Sequence, residues 1–203
     1  LEAALQPRMI MGTFAPSYLP DPKPAQRNRR SIYALKLRGH RDPFMTTFNQ
    51  PAPDKSCELR DSSNVTPQVF TLFNSEESAD RALAFAARIL KEGKNDKAVV
   101  QRAFRLAFGR VPEAGETRAA LSHWRQATAE QAKRKPKPAV YPRQVTRQAN
   151  EENTGEPFTF TEKLFEYQDY EPDLQRHQVD ARTRGLADLC LVLLNSSEFV
   201  YVY

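Results

Sequence analysis

Two cysteines and three histidines are the whole supply of thiol and imidazole metal ligands in this 203-residue chain. Cys57 and Cys190 are far apart, so there is no CxxC pair and no CxxCH motif. The chain therefore cannot hold a c-type haem covalently, and the spacing of a zinc site is missing. His40, His123 and His177 are scattered, with no metal-ligand spacing between them. A Cys57–Cys190 disulfide is open to an oxidising compartment, but two such distant cysteines are expected to be separate buried thiols. No apolar run approaches the about 20 residues that span a bilayer. A chain that starts at Leu1 is expected to be a fragment of something longer, and the lack of a signal peptide in it is then no guide to whether the parent had one. Glycine is scarce, at 7 residues against 15 prolines, which suits a folded domain with long irregular segments.

The charge present is modest. Thirty basic against 25 acidic side chains leave a formal net charge of +5 and a pI near 9.3. That balance permits a polyanionic partner without demanding one.

Residues 1–24 include "FAPSYLPDPKP", whose prolines force extended backbone, with Phe14, Tyr18 and Leu19 as anchors. Residues 25–38, "AQRNRRSIYALKLR", lack Gly and Pro, follow Pro24 and predict a helix with Ile32 and Leu35 inward. Residues 39–65 hold Gly39, Pro43, Pro51 and Pro53 and predict an ordered loop. Thr66-Pro67 reads as a cap and first turn of a short helix, apolar on most sides and so expected to be buried, ending at Asn74. Ser75 caps the next helix, which runs to about Glu92 with Ala79, Ala82, Leu83, Ala86, Ile89 and Leu90 as its stripe. Val100, Ala103, Phe104, Ala107 and Phe108 mark the helix over 96–108, and Gly109 stops it. Another helix opens at Pro112 with Ala120, Leu121, Trp124 and Ala127 inward, and "KRKPKP" ends it near Ala132. The last helix starts near Asp180; Leu186, Leu189, Cys190 and Leu193 make it the expected centre of the core. "FTLFNSEES" and "LVLLNSSEF" share one pattern, read as a corner used twice in which Asn turns left-handed and Ser caps.

Residues 133–179 form a long connection: a basic start, then Tyr141, Phe158, Phe160, Phe165, Tyr167 and Tyr170. So many aromatics argue against disorder and predict an ordered arm that wraps the helical core. The fold class expected is all-α: a single compact domain over 1–203 of about five to seven helices, with that arm and the proline-rich N-terminal segment.

The blocks "RNRRSIYALKLRG", "DPFMTTFNQPAPDKSCELRDSSNVTPQVFTLFNSE", "RAFRLAFGRVP", "GEPFTFTEKL" and "ADLCLVLLNSSEFVYVY" resemble the C-terminal domain of unknown function of large exported planctomycete proteins. Proteins of that kind carry a cytochrome c-like domain at the N-terminal end. The resemblance implies an all-helical fold, an exported address in the periplasm or cell envelope, and haem c only in an upstream domain of the parent protein. It implies no activity. Where that family has Phe-Asp before "QP", this chain has Asn49, which counts against a role needing a carboxylate there.

Two stretches hold the candidate site residues. Asn49, Asp54, Cys57, Glu58, Arg60, Asp61 and Gln68 would form a polar pocket over the buried helix, with Arg60 gripping a carboxylate or sulfate and lowering the pKa of Cys57. The plainer reading is a loop whose Asn, Asp, Ser and Thr side chains satisfy its own backbone, with Arg60 in an ion pair. The basic run Arg27, Arg29, Arg30, Lys36, Arg38 and Arg41, with Lys133, Arg134, Lys135 and Lys137, would offer a polyanion surface; the alternative is a solvated face plus a basic linker. An arginine of "RNRRSIY" reaching into the acids of "SCELRD" is a further structural option. No recognition-helix or RNA-binding signature supports nucleic acid as a partner. The aromatics of the arm are expected to anchor it rather than bind sugar.

Three readings of function follow. One is a structural or interaction module that packs on upstream domains of its own polypeptide or on other envelope proteins. The second is part of an envelope enzyme acting on complex polysaccharides, with residues 49–68 completing a shared cleft. The third is a polyanion-binding module that uses the basic helix over 27–41, with acidic polysaccharide as the favoured partner. On all three, no cofactor belongs to this chain itself. Elemental analysis of the purified chain should therefore give no stoichiometric iron or zinc, and either metal at one equivalent would contradict the reading.

Overall fold

The helical stripes between Ser75 and Ala132 recur as helices in the computed structural model, which describes residues 21–34, 41–52, 56–59 and 65–201. In chain order its elements are α1 (Pro24–Arg27), α2 (Pro43–Thr47), α3 (Thr66–Asn74), α4 (Glu76–Glu92), α5 (Asp96–Phe108), α6 (Ala114–Ala132), β1 (Gln144–Asn150), β2 (Pro157–Lys163), α7 (Ala181–Leu194) and α8 (Ser197–Val200). Single 3-10 turns lie at Ser31–Tyr33, Phe165–Tyr167 and Arg176–Gln178. The chain divides into two compact units, Leu1–Ser62 with Ala139–Asp173, and Ser63–Pro138 with Leu174–Tyr203.

The second unit is helical, and its helix starts follow the sequence signals. Ser75 Oγ accepts the Ser78 N–H at 3.2 Å, Asn95 Oδ1 the Ala98 N–H at 2.9 Å, and Asp180 Oδ1 the Thr183 N–H at 2.7 Å. Each satisfies a donor that the first helical turn leaves open. Gly109 ends α5 at φ 74°, a left-handed conformation that a side chain disfavours. The core takes Leu83, Ala86 and Ile89 from α4, Val100, Ala103 and Phe104 from α5, and Ala120 and Trp124 from α6. Leu186, Leu189, Cys190 and Leu193 come from α7. Phe108 is half-buried and meets Phe104 edge-on at 5.2 Å between ring centres.

Helix α7 packs on both α4 and α6, as its nearly all-round apolar sequence requires. A Cβ placed on Gly185 would fall 2.5 Å from the backbone nitrogen of Thr128 in α6, so the two backbones meet directly there. Trp124 Nε1 donates to the Arg182 carbonyl at 3.0 Å. The buried Arg184 donates to the carbonyls of Gln131, Arg176 and Val179. Gln131 lies in the last turn of α6, so this cation meets the negative end of that helix dipole.

The first unit is tied by Arg27, which is 1 % exposed. Its Nη1 donates to the carbonyls of Asp21 and Pro22 at 2.7 Å each, and its Nη2 to the Glu171 carbonyl at 2.6 Å. Asp173 supplies the counter-charge at 3.3 Å, and the guanidinium lies 4.2 Å from the ring centre of Tyr170. Tyr141, Tyr167 and Tyr170 cluster at 5.0 to 5.7 Å. Strands β1 and β2 form an antiparallel hairpin in which Arg147 faces Phe160 and Ala149 faces Phe158. Arg147 pairs with Glu162 along the same face.

Several expectations are corrected. The chain is mostly helical rather than all-α, because the arm holds the hairpin: Phe158 and Phe160 alternate with Thr159 and Thr161 at strand period. The helix expected over 25–38 is one turn at Pro24–Arg27 followed by a 3-10 turn, with residues 35–40 outside the described set. Arg27 turns into its own unit instead of lengthening that helix. The expected loop over 39–65 contains α2, capped by Asp42 through the Met45 N–H at 3.0 Å. Helix α3 is not buried: Phe70 is 62 % exposed, and Val69 and Phe73 are exposed with it. Neither Asn74 nor Asn195 turns left-handed; Asn195 instead donates Nδ2 to the Leu191 carbonyl at 2.7 Å. Of the two thiols expected to be buried, Cys190 is, and Cys57 is exposed; both are free.

Two substitutions test the packing by urea unfolding. Leu189→Ala should cost about 2–5 kcal/mol. Gly185→Ala should cost about 1–3 kcal/mol or more, because the atom it meets is backbone and cannot swing away. A Gly185→Ala chain as stable as wild type would refute the close approach of α6 and α7.

Candidate functional site

The polar stretch over 49–68 is built of separate local structures. Asn49 follows α2 at φ 56°, a left-handed position that Asn tolerates better than most residues. Its N–H donates to the Thr46 carbonyl at 3.1 Å, and the Gln50 N–H donates to Met45 at 3.1 Å. The Cys57 thiol donates to the Leu59 carbonyl at 3.1 Å and is exposed, as is Glu58. Gln68 Oε1 accepts the Val65 N–H at 3.3 Å, returning a bond to the residue that precedes α3. Val65, not Thr66, is therefore the capping position, and its side chain has no acceptor to offer. Asn49 and Cys57 belong to the first unit and Gln68 to the second. Asp54, Arg60 and Asp61 lie outside the described residues.

The basic run is likewise dispersed. Arg27 is removed from any surface by the carbonyls and the carboxylate around it. Arg29 is half-buried, Arg30 and Arg41 are exposed, and Lys36 and Arg38 lie outside the described residues. Lys133, Arg134, Lys135 and Lys137 are all exposed in the second unit.

A further charge cluster among the described residues lies outside both candidate stretches. Arg110 forks onto both oxygens of Glu116, with Nη2 at 2.7 Å and Nη1 at 2.8 Å, and onto Glu198 with Nε at 2.6 Å and Nη2 at 2.8 Å. The Glu113 N–H donates to Glu116 at 2.7 Å. The same guanidinium lies 5.6 Å from the ring centres of Phe104 and Phe108. One cation thus holds α8 against the entry to α6. The bond from Arg110, then that from the Glu113 N–H, hold the Glu116 carboxyl down at about 2, and Arg110 holds Glu198 below its ordinary range. A carboxylate so placed is ionised near neutrality and has no proton to give, so this is a clamp and not an acid catalyst. The signal was available in Glu113-x-x-Glu116, the spacing of a capping box. Burial pushes the Cys190 thiol up, so that group is inert as a nucleophile.

Among the described residues, no group of three or more His, Cys, Asp and Glu side chains gathers as a metal site. No described helix is long and apolar enough to cross a membrane.

A family described as "Protein of unknown function (DUF1553)", PSD1, has a model that matches residues 3–124. No curated protein and no solved structure matches the chain.

The clamp carries a pH prediction. Glu116 and Glu198 titrate lower in the folded chain than their ordinary value of 4.5. The stability they supply is fully present above that value and is lost as pH falls through it toward about 2. Thermal melts from pH 7 to pH 2.5 should show a falling Tm below about pH 4.5, with a smaller acid-dependent loss in Arg110→Ala. An acid dependence identical in the two proteins would contradict the clamp.

Proposed function

Given that the chain belongs to the DUF1553 family of proteins of unknown function, we propose that it is a non-catalytic structural and interaction module. In this reading it closes a large exported planctomycete protein, resides in the periplasm or cell envelope, and packs against upstream domains of the same polypeptide. Haem c belongs to the cytochrome c-like domain at the other end of that parent protein, and this chain brings no cofactor.

The observation that carries the proposal is the outer face of α3. Val69, Phe70 and Phe73 fall within about 100° of one another around the helix, and all three are exposed. A nine-residue helix is too short to be stable by propensity alone. Phenylalanines this exposed on such a helix cost solubility, and neither belongs to the core cluster. This exposed apolar surface supports a contact with another protein surface. On α8, Phe199 and Val200 are also exposed, so this helix offers apolar side chains as well.

The test is the double variant Phe70→Ser with Phe73→Ser. In the isolated chain it should change unfolding stability by within about 0.5 kcal/mol, as expected for exposed positions. In the parent protein it should split one cooperative melting transition into two, as the module uncouples from its neighbour. A loss of several kcal/mol in the isolated chain would place α3 in its own core, and a parent protein that melts as before would remove the contact. Asn49→Ala, Cys57→Ser and Gln68→Ala should leave any activity of the parent protein unchanged; loss of turnover would favour the envelope enzyme with a shared cleft instead.

A further inference from the structure

The charge of this chain is concentrated in one short stretch. Between Thr117 and Pro138 stand six basic side chains, Arg118, Arg125, Lys133, Arg134, Lys135 and Lys137, and a single acid, Glu130. The excess of five equals the formal net charge of the whole chain, so all the other residues together are balanced. All six bases are exposed, and all belong to the second unit.

Their arrangement has two parts. Arg118 and Arg125 are seven residues apart on α6, within about 20° of the same face and about 10 Å apart along the axis. The small residues Ser122 and Ala129 leave that face open. Beyond Ala132 the chain runs without regular secondary structure, and Pro136 and Pro138 hold Lys135 and Lys137 in extended backbone. The prolines thus fix two lysines on a stiff rail that continues from the end of the helix. Lys133 is paired with Glu130 at 2.8 Å, and the charge of Arg134 acts on that same carboxylate. Among the described residues, Arg118, Arg125, Lys135 and Lys137 have no carboxylate within ion-pair distance. The negative end of the α6 dipole accounts for Lys133 and Arg134, but not for the other four.

We infer that the outer face of α6 and the segment Lys133–Pro138 bind an acidic polysaccharide, a linear chain of sulfated or carboxylated sugars. Arginine grips sulfate and carboxylate with two parallel hydrogen bonds, and lysine adds point charges along the same line. Nucleic acid fits less well. Recognition of single strands rests on aromatic side chains that stack with bases. Trp124, the one Phe, Tyr or Trp of this stretch, is buried with its N–H committed to the Arg182 carbonyl, which leaves only the His123 imidazole exposed for stacking. This surface is made of other residues than the basic run at 27–41, whose first member is buried, and than the apolar face of α3.

The experiment uses the 203-residue chain and heparin as the probe, with duplex and single-stranded DNA as competitors. The patch variant combines Arg118→Ala, Arg125→Ala, Lys135→Ala and Lys137→Ala. The control combines Lys91→Ala, Lys94→Ala, Lys97→Ala and Arg105→Ala, which removes four exposed charges from α4, α5 and the turn between them. Circular dichroism melts confirm that both variants fold. Wild type and control should bind heparin alike. The patch variant should bind at least tenfold more weakly, and its plot of log affinity against log salt should be shallower by about two to four. Equal losses in the two variants would show a net-charge effect and overturn the site. No retention of wild type on heparin, or competition by DNA at equal or lower concentration, would overturn it as well.

Discussion

The helical unit depends on the contact between α6 and α7 at Gly185. A missing side chain there lets the two backbones touch at Thr128. The pair is then fixed at further heights: Trp124 reaches the Arg182 carbonyl, and Arg184 reaches the end of α6 at Gln131. Asp188 adds a third tie, accepting from Gln131 Nε2 at 2.6 Å and Arg176 Nη2 at 2.7 Å. With α7 pinned against α6, its Leu186, Leu189, Cys190 and Leu193 join α4 and α5 in the core. Carbonyls answer both Nη groups of Arg184, and Asp188 answers Gln131 Nε2 and Arg176 Nη2, while Arg184 Nε and Arg176 Nε are buried without a partner among the described residues.

The same logic holds the first unit, with a different residue. Arg27 collects three carbonyls, a carboxylate and the face of Tyr170, and so draws residues 21–27 to 170–173. One buried guanidinium substitutes for an apolar core in a segment that has few apolar residues to bury. In both units an arginine satisfies backbone groups that no regular secondary structure pairs.

The helices from Ser75 to Leu194 were legible because a stripe of period 3.6 and a capping side chain report on the same local geometry. Leu83 and Ile89 on α4, Val100 and Phe104 on α5, and Leu189 on α7 are all buried as their spacing implies. The burial of α3 was not legible, since composition shows that a helix is apolar but not whether anything covers it. The hairpin was half visible: Phe158 and Phe160 alternate, while the partner strand Gln144–Asn150 is mostly polar and gives no signal. The role of Arg27 was hidden because its partners lie about 145 residues away, at Glu171 and Asp173. Of the polar residues grouped as a candidate site, Gln68 turned out to serve a helix start and Asn49 a turn, local duties that a list of residue types does not separate from chemistry.

The account makes this chain a module whose own core is closed and whose apolar surplus faces outward on α3. Hydrogen–deuterium exchange compares the backbone of Val69–Phe73 in the isolated chain with the same segment in the parent protein. The account predicts fast exchange in the isolated chain and clear protection in the parent, with the amides of α7 protected in both. Equal, rapid exchange of α3 in the two proteins would contradict it.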